Sequence, residues 1–312
     1  MEYLKEEKEP ELPKILFTGL DDAGKSSIIL SLQREFSKIA ILSPTRGAQR
    51  RIFEFLGRQI AEWDLGGQQV YRIAYLKNPS KYFENTEILI YVIDVQNKER
   101  LPEAVSYLND VVKQLRKLNL SPPICVFLHK MDPKLYKTGF DEYVNLLTEL
   151  KENIKKVSNY EKIYFYHTSI YDFSTIVRAM SEILLALYPK AQLIEKTLKE
   201  FAIKINCEGL TLMDNNSLIV GIYYMDEETK NLLNSSTPYF LTLNDSFQAI
   251  GNLEDQLQDQ ILVQRFGKYI LFKKLMLRPG HPYYLIVIKK GQYFYKDDFS
   301  SLSHLLAEII YK

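Results

Sequence analysis

The segment Gly19-Leu20-Asp21-Asp22-Ala23-Gly24-Lys25-Ser26 satisfies the pattern G-x-x-x-x-G-K-[ST] at every position, and its flanks limit what the chain can fold into. Lys14-Ile15-Leu16-Phe17-Thr18 reads as a short buried strand, and Ser27-Ile28-Ile29-Leu30-Ser31-Leu32 opens a helix. A glycine-rich loop in that context curls so that its backbone N–H groups surround phosphates at a helix N-terminus. Gly19, Leu20, Asp21, Asp22, Ala23, Gly24 and Ser27 would supply the cradle. Lys25 would reach the β/γ oxygens, and the Ser26 hydroxyl would hold Mg²⁺. The loop implies a bound nucleoside phosphate.

Composition narrows the class. At 312 residues the chain has room for two cores. Forty basic against thirty-nine acidic side chains leave a net charge of +1, so no bulk field points to nucleic acid or an anionic membrane. Cys125 and Cys207 lie far apart in apolar runs and read as small core side chains of a reducing compartment. The start of the chain is charged, and no apolar run reaches eighteen residues. Glu2 excludes N-myristoylation, and Tyr311-Lys312 is no prenylation signal. A cytoplasmic protein is expected, with no direct membrane insertion and any recruitment to a membrane made by partners.

After a charged leader over 1–12, strand-like and helix-like segments alternate to about residue 190. The strands fall at 14–18, 52–56, 59–64, 87–94, 123–129 and 162–168, with helices at 101–118 and 141–157. This alternation predicts an α/β domain over 13–190 with a mostly parallel sheet and helices on both faces. Gly57 between two alternating runs predicts a hairpin and one antiparallel edge. Over 191–312 a helical stretch leads into 203–207 and 217–224. Further strands follow at 239–243, 261–266, 269–276 and 283–289, and a closing helix at 299–311. Strands following strands at short intervals predict an α+β domain with an antiparallel sheet.

Other segments complete a nucleotide site. In Trp63-Asp64-Leu65-Gly66-Gly67-Gln68, Asp64 would hold Mg²⁺ through water, the Gly67 N–H would touch the γ-phosphate, and Gln68 would orient the attacking water as the catalytic residue. Thr45 in Ser43-Pro44-Thr45-Arg46-Gly47 would ligate Mg²⁺ by its hydroxyl and bind the γ-phosphate by its N–H. Arg46, Arg50 and Arg51 read as solvated or partner-facing in preference to an internal arginine finger. Asp21 sets negative charge near the γ-phosphate, which favours slow unaided hydrolysis. For the base, His129-Lys130-Met131-Asp132 follows a strand at the edge where α/β sheets bind ligands. Asp132 can accept from N1–H and the exocyclic amine of guanine, while adenine would leave it unpaired. The Lys130 stem can lie over the ring, and a His129 ring N–H can reach the base or the P-loop backbone. Backbone N–H groups at Ser169 and Ile170 can meet the guanine oxygen.

These residues resemble the Rag/Gtr GTPases. The resemblance rests on histidine where asparagine is commoner in His129-Lys130-Met131-Asp132, on Thr168-Ser169-Ile170-Tyr171-Asp172, and on the strand 87–95. It departs at the P-loop and at Pro44-Thr45-Arg46-Gly47, which look more like the Arf family. The resemblance implies a small GTPase taking GTP/GDP and Mg²⁺, with a C-terminal roadblock/longin-like dimerisation domain. It implies a homodimer or a heterodimer with a paralogue, and activating and exchange partners. The competing reading is a nucleotide-bound scaffold with negligible hydrolysis, toward which Asp21 leans. A metabolic kinase fares poorly without an arginine-rich lid. Lys273-Lys274 and Lys289-Lys290 read as lysines that blunt sheet edges, not as a nucleic-acid surface.

Overall fold

The computed structural model describes residues 12–135, 140–250, 260–265 and 267–312. All but the last residue of the leader at 1–12 therefore lies outside the described residues, as does position 266 at the end of one expected strand. The chain divides into two compact units, one with residues up to Ser31 and Glu35–Asp172, the other with Leu32–Arg34 and Phe173–Lys312.

The first unit runs β1 (Lys14–Gly19), α1 (Lys25–Leu32), α2 (Phe36–Ile39), β2 (Ala48–Phe55), β3 (Arg58–Leu65), α3 (Gln69–Lys77), α4 (Pro79–Phe83), β4 (Thr86–Asp94), α5 (Leu101–Lys117), β5 (Ile124–His129), α6 (Phe140–Ser158) and β6 (Ile163–Thr168). Its six-stranded sheet has the order β2-β3-β1-β4-β5-β6, parallel throughout except for the β2–β3 pair. β1 and β5 are buried along their whole length, as central strands covered on both faces must be. β2, at the edge, is fully buried only at Phe55. The β2–β3 turn puts Leu56 and Gly57 at φ of 50° and 75°, the left-handed pair of a tight hairpin turn. On α5, Ala104, Val105, Leu108, Val111, Val112 and Leu115 repeat at helical spacing and are buried against the sheet. Parallel pairing sends the carboxyl ends of β1, β3, β4, β5 and β6 to one edge. Every chemically marked segment of the sequence emerges there.

The second unit holds α7 (Phe173–Ala186), α8 (Ala191–Lys204), β7 (Gly209–Asp214), β8 (Ile219–Tyr224), α9 (Glu227–Ile250), β9 (Gln260–Arg265), β10 (Lys268–Arg278), β11 (His281–Lys289) and α10 (Lys296–Tyr311). Its sheet is antiparallel in the order β8-β7-β11-β10-β9. This α+β layout is consistent with a roadblock-like domain. Cys207, and Cys125 in the first unit, are both buried.

Four expectations are corrected. Residues 239–243 are helical, within α9. Leu233, Phe240 and Leu241 recur at helical spacing and pack on Met213, Phe272 and Tyr284, with Phe240 stacked on Phe272 at 5.5 Å. Residues 203–207 close α8 and form a turn with Asn206 at φ 52°, and the strand starts at Gly209. The glycine that weakens the strand pattern there is needed for space, since a Cβ would stand 2.5 Å from Thr229 Cγ2 of α9. The lysines at 273–274 and 289–290 sit on β10 and β11 or just past β11, strands interior to the sheet, whose edges are β8 and β9. Three of them make local contacts, Lys273 donating to Gln260 Oε1 at 3.3 Å, Lys290 pairing with Glu208 at 3.4 Å and Lys289 donating to the Tyr293 carbonyl at 2.7 Å. Finally, α7, expected with the first domain, belongs to the second compact unit.

Candidate nucleotide site

The loop between β1 and α1 is held open by its two glycines. Gly19 stands at φ 139°, and a Cβ there would come 2.3 Å from the Val92 carbonyl oxygen of β4. Gly24 stands at φ 96°, with the His129 ring edge where its Cβ would be, 2.5 Å from Cδ2. Leu20 and Ala23 are buried, while Asp22 is exposed at φ 57°. The loop delivers the N-terminus of α1, and Lys25 with it, to the carboxyl edge of the sheet. The Lys25 ammonium is buried and donates to the Gly19 and Leu20 carbonyls at 3.2 and 2.6 Å. Burial brings its pKa down to about 8, against the pull of the Asp64 and Asp21 carboxylates.

Three oxygens from three segments converge beside it. Ser26 Oγ donates to Asp64 Oδ2 and shares a 2.7 Å hydrogen bond with Thr45 Oγ1, which also reaches Asp64 Oδ2 at 3.2 Å. The other carboxylate oxygen, Asp64 Oδ1, is buried with no hydrogen-bond partner among the described residues. Two hydroxyls and a carboxylate with an orphaned oxygen are the hard donor set that suits Mg²⁺. The residues fit the ion.

Gly66 and Gly67 then turn the chain from β3 into α3 at close quarters. A Cβ on Gly66 would meet the Thr45 carbonyl oxygen at 2.4 Å, and one on Gly67 would meet the Asp21 nitrogen at 2.1 Å. Neither needs a positive φ; both are small because backbones touch there. Gln68 caps α3 and, with Asp21, Asp22, Gly24, Lys25, Ser26, Ser27, Thr45, Gly67 and Lys130, lines one cavity of about 330 Å³. Arg46 is exposed, and Arg50 stacks over Trp63 at 3.7 Å, outside this cavity lining.

Toward the base end, Lys130 sits at φ 63° with its ammonium on Asp94 Oδ2 at 2.7 Å. Asp132 is held by both oxygens: Ser169 Oγ donates to Oδ1 at 2.6 Å and Gln96 Nε2 to Oδ2 at 2.8 Å. Gln96 Nε2 also donates to the Lys130 carbonyl at 2.7 Å. Ile170 follows half-buried. His129 bonds through Nδ1 to Thr168 Oγ1 at 2.9 Å, and its ring edge, with Nε2, fills the space beside Gly24 of the P-loop. Burial, aided by the Lys130 charge, lowers its pKa to about 4, so the ring is neutral at pH 7.

Asp21 also differs from expectation. Its carboxylate is not left bare beside the phosphates but pairs with Arg100 at 2.8 Å, and that hydrogen bond holds its pKa below the ordinary carboxylate value. Arg100, Asp94 and Gln96 were not singled out from the sequence. Asp94 had a usable signal, as the last residue of a parallel strand at the ligand edge. Arg100 and Gln96 had none, because Asp21 and Asp132, the site residues they hold, are distant in sequence.

The chain is 27% identical over 272 residues to the GTP-binding protein GTR1 of Saccharomyces cerevisiae, covering 85% of this chain and 84% of that protein. It is also similar to the solved Arl6 BBS3 small GTPase of Trypanosoma brucei with the bound nucleotide analogue GppNp. That likeness has 20% identity and a TM-score of 0.44, covering 56% of this chain and 96% of the other. Residues 14–252, well over half of the chain, match the Gtr1/RagA G protein conserved region, and the chain belongs to the Gtr1/RagA family of small GTPases.

Proposed function

We propose that the chain is a Mg²⁺-dependent switch that binds guanine nucleotide, hydrolyses GTP to GDP and signals through partners as a dimer. The observation that carries this reading is the meeting of Ser26, Thr45 and Asp64 oxygens beside Lys25. Thr45 and Asp64 belong to separate segments that a terminal phosphate and its metal would draw together. When bound there, Mg²⁺ would neutralise charge building on the phosphate oxygens. Lys25 would swing from the carbonyls of Gly19 and Leu20 to the β/γ oxygens, and the α1 N-terminus would face them. The Gly67 N–H would meet the terminal phosphate, and Gln68 would align the attacking water. Asp132, with both oxygens oriented, would accept from guanine, the Lys130 stem would cover the ring, and Ser169 and Ile170 N–H groups would meet its oxygen.

The scaffold reading loses the argument that favoured it, since Arg100 offsets the charge of Asp21. Pairing with a second copy or a paralogue is inferred from the family and from the roadblock-like layout of the second unit. Activating and exchange partners and a cytoplasmic place are inferred from the family alone. Fluorescent GTP, GDP and ATP titrations with and without Mg²⁺, with single-turnover hydrolysis of the parent and Gln68→Leu, test the site. Equal affinity for ATP would overturn the base assignment, and unchanged hydrolysis in Gln68→Leu would overturn the role of Gln68. Light scattering with GDP and with a GTP analogue tests dimerisation, and a monomer in both states would refute it.

A further inference from the structure

Asp21 is a charge that the chemistry of phosphate binding does not call for. It lines the same cavity as Lys25 and Gly67, and an uncompensated carboxylate there would repel a terminal phosphate. Arg100, in the short 3-10 turn Lys98–Arg100 ahead of α5, grips this residue twice. Its Nη2 donates to Asp21 Oδ1 at 2.8 Å and its Nη1 to the Asp21 carbonyl at 3.3 Å.

The same guanidinium turns its Nε to Glu103 Oε2 at 3.1 Å, and the other oxygen of Glu103 accepts from Arg72 Nη2. Arg72 lies in the first turns of α3, four residues past Gln68, with its backbone N–H on the Gln68 carbonyl at 3.0 Å. Its guanidinium is nearly buried over the Tyr107 ring, and the Tyr107 hydroxyl bonds Thr18 of β1 at 3.1 Å. A series of alternating charges thus runs from the P-loop to the helix that carries Gln68. The backbone closes it into a ring, because Gly67 touches the chain at Leu20–Asp21.

We propose that Arg100 is a positioning residue for the terminal phosphate: it offsets Asp21 and so sets the preference for GTP over GDP, and through Glu103 and Arg72 it ties the start of α3 to the P-loop. The proposal rests on the guanine-nucleotide reading above. GDP carries no group at the terminal position, so the loss of Arg100 falls on GTP. Glu103 acts one step further out, on the placement of Gln68.

Affinities for fluorescent GTP-analogue and GDP, measured on the full chain, test this. Arg100→Ala is expected to weaken GTP-analogue binding about tenfold and GDP binding less than about threefold, from the charge left unpaired beside the phosphate. Adding Asp21→Asn to Arg100→Ala is expected to restore the preference, and Arg100→Lys to keep most of it. Glu103→Gln should leave both affinities near the parent and slow single-turnover hydrolysis. Equal losses for both nucleotides in Arg100→Ala, or no rescue by Asp21→Asn, would overturn the proposal. Should Arg100→Ala not fold, Arg100→Gln is read the same way. A parent that binds no guanine nucleotide refutes the underlying function instead, and the two failures are distinguishable.

Discussion

Gly67→Ala tests whether switch and P-loop meet as tightly as the backbone indicates. An added Cβ would stand 2.1 Å from the Asp21 nitrogen, 2.2 Å from the Leu20 carbonyl carbon and 2.4 Å from its oxygen. All three are backbone atoms with no rotamer to change, and ordinary contact begins at 3.4 Å. The two segments must therefore part by roughly 1 Å, and a misplacement of that size at a reacting centre costs on the order of 10²-fold in rate. Gln68 is the next residue and moves with the backbone. The α1 N-terminus, Lys25 and the base-end residues are untouched, so GDP affinity should stay within a few-fold of the parent. The assay pairs single-turnover GTP hydrolysis with fluorescent GDP titration on the same preparation. Hydrolysis within about threefold of the parent would show that this contact does not position the reacting groups.

Gln96→Ala removes a donor from the Asp132 carboxylate, and a hydrogen bond to a charged group of this kind is expected to cost about tenfold in GDP affinity. Titration with fluorescent GDP checks it, and an unchanged Kd would refute the assignment. Ser26→Ala should largely remove the slowing of nucleotide dissociation by Mg²⁺, expected at about tenfold or more in the parent and read by adding EDTA. His129, neutral in the fold with its pKa lowered to about 4, binds protons less readily than the unfolded chain, so its contribution is present above pH 6.5 and is lost as pH falls toward 4. Glu62, whose pKa burial raises to about 7, has the opposite sign: its contribution is present below pH 4.5 and is lost as pH rises through 7. Urea unfolding at pH 5 and 7.5 should therefore show His129→Gln and Glu62→Gln departing from the parent in opposite directions, each by roughly 2 kcal/mol.

Much of the site was legible because its chemistry is written where the backbone changes direction. Gly19, Gly24, Asp64, Gly67, His129 and Asp132 all stand at or just past the carboxyl ends of parallel strands, and each was found by its type at that place. The strands themselves were legible as continuous apolar runs, which parallel burial demands. The second unit was harder to read. Its helix over 239–243 carries aromatic and branched residues that suit a strand equally well, and only Phe272 and Tyr284, far along the chain, decide the matter. The strand from Gly209 was hidden by the one residue small enough to admit α9.

The contacts that sequence reading missed share one property, and it bears on how such a site evolves variants. Arg100 reaches Asp21 across 79 positions, Arg72 reaches Glu103 across 31, and Gln96 reaches Asp132 across 36. None follows a helical or strand period, so no local pattern carries them. They nevertheless decide what the legible residues mean. Asp21 alone reads as a charge hostile to phosphate; with Arg100 it is half of an ion pair that fastens the loop. His129 alone reads as a base-binding ring; beside Gly24 it is a buried neutral wedge that shapes the P-loop from behind. A change at Asp21 or Gly24 should therefore be tolerated only with a compensating change at Arg100 or His129, because each pair shares one space or one charge balance.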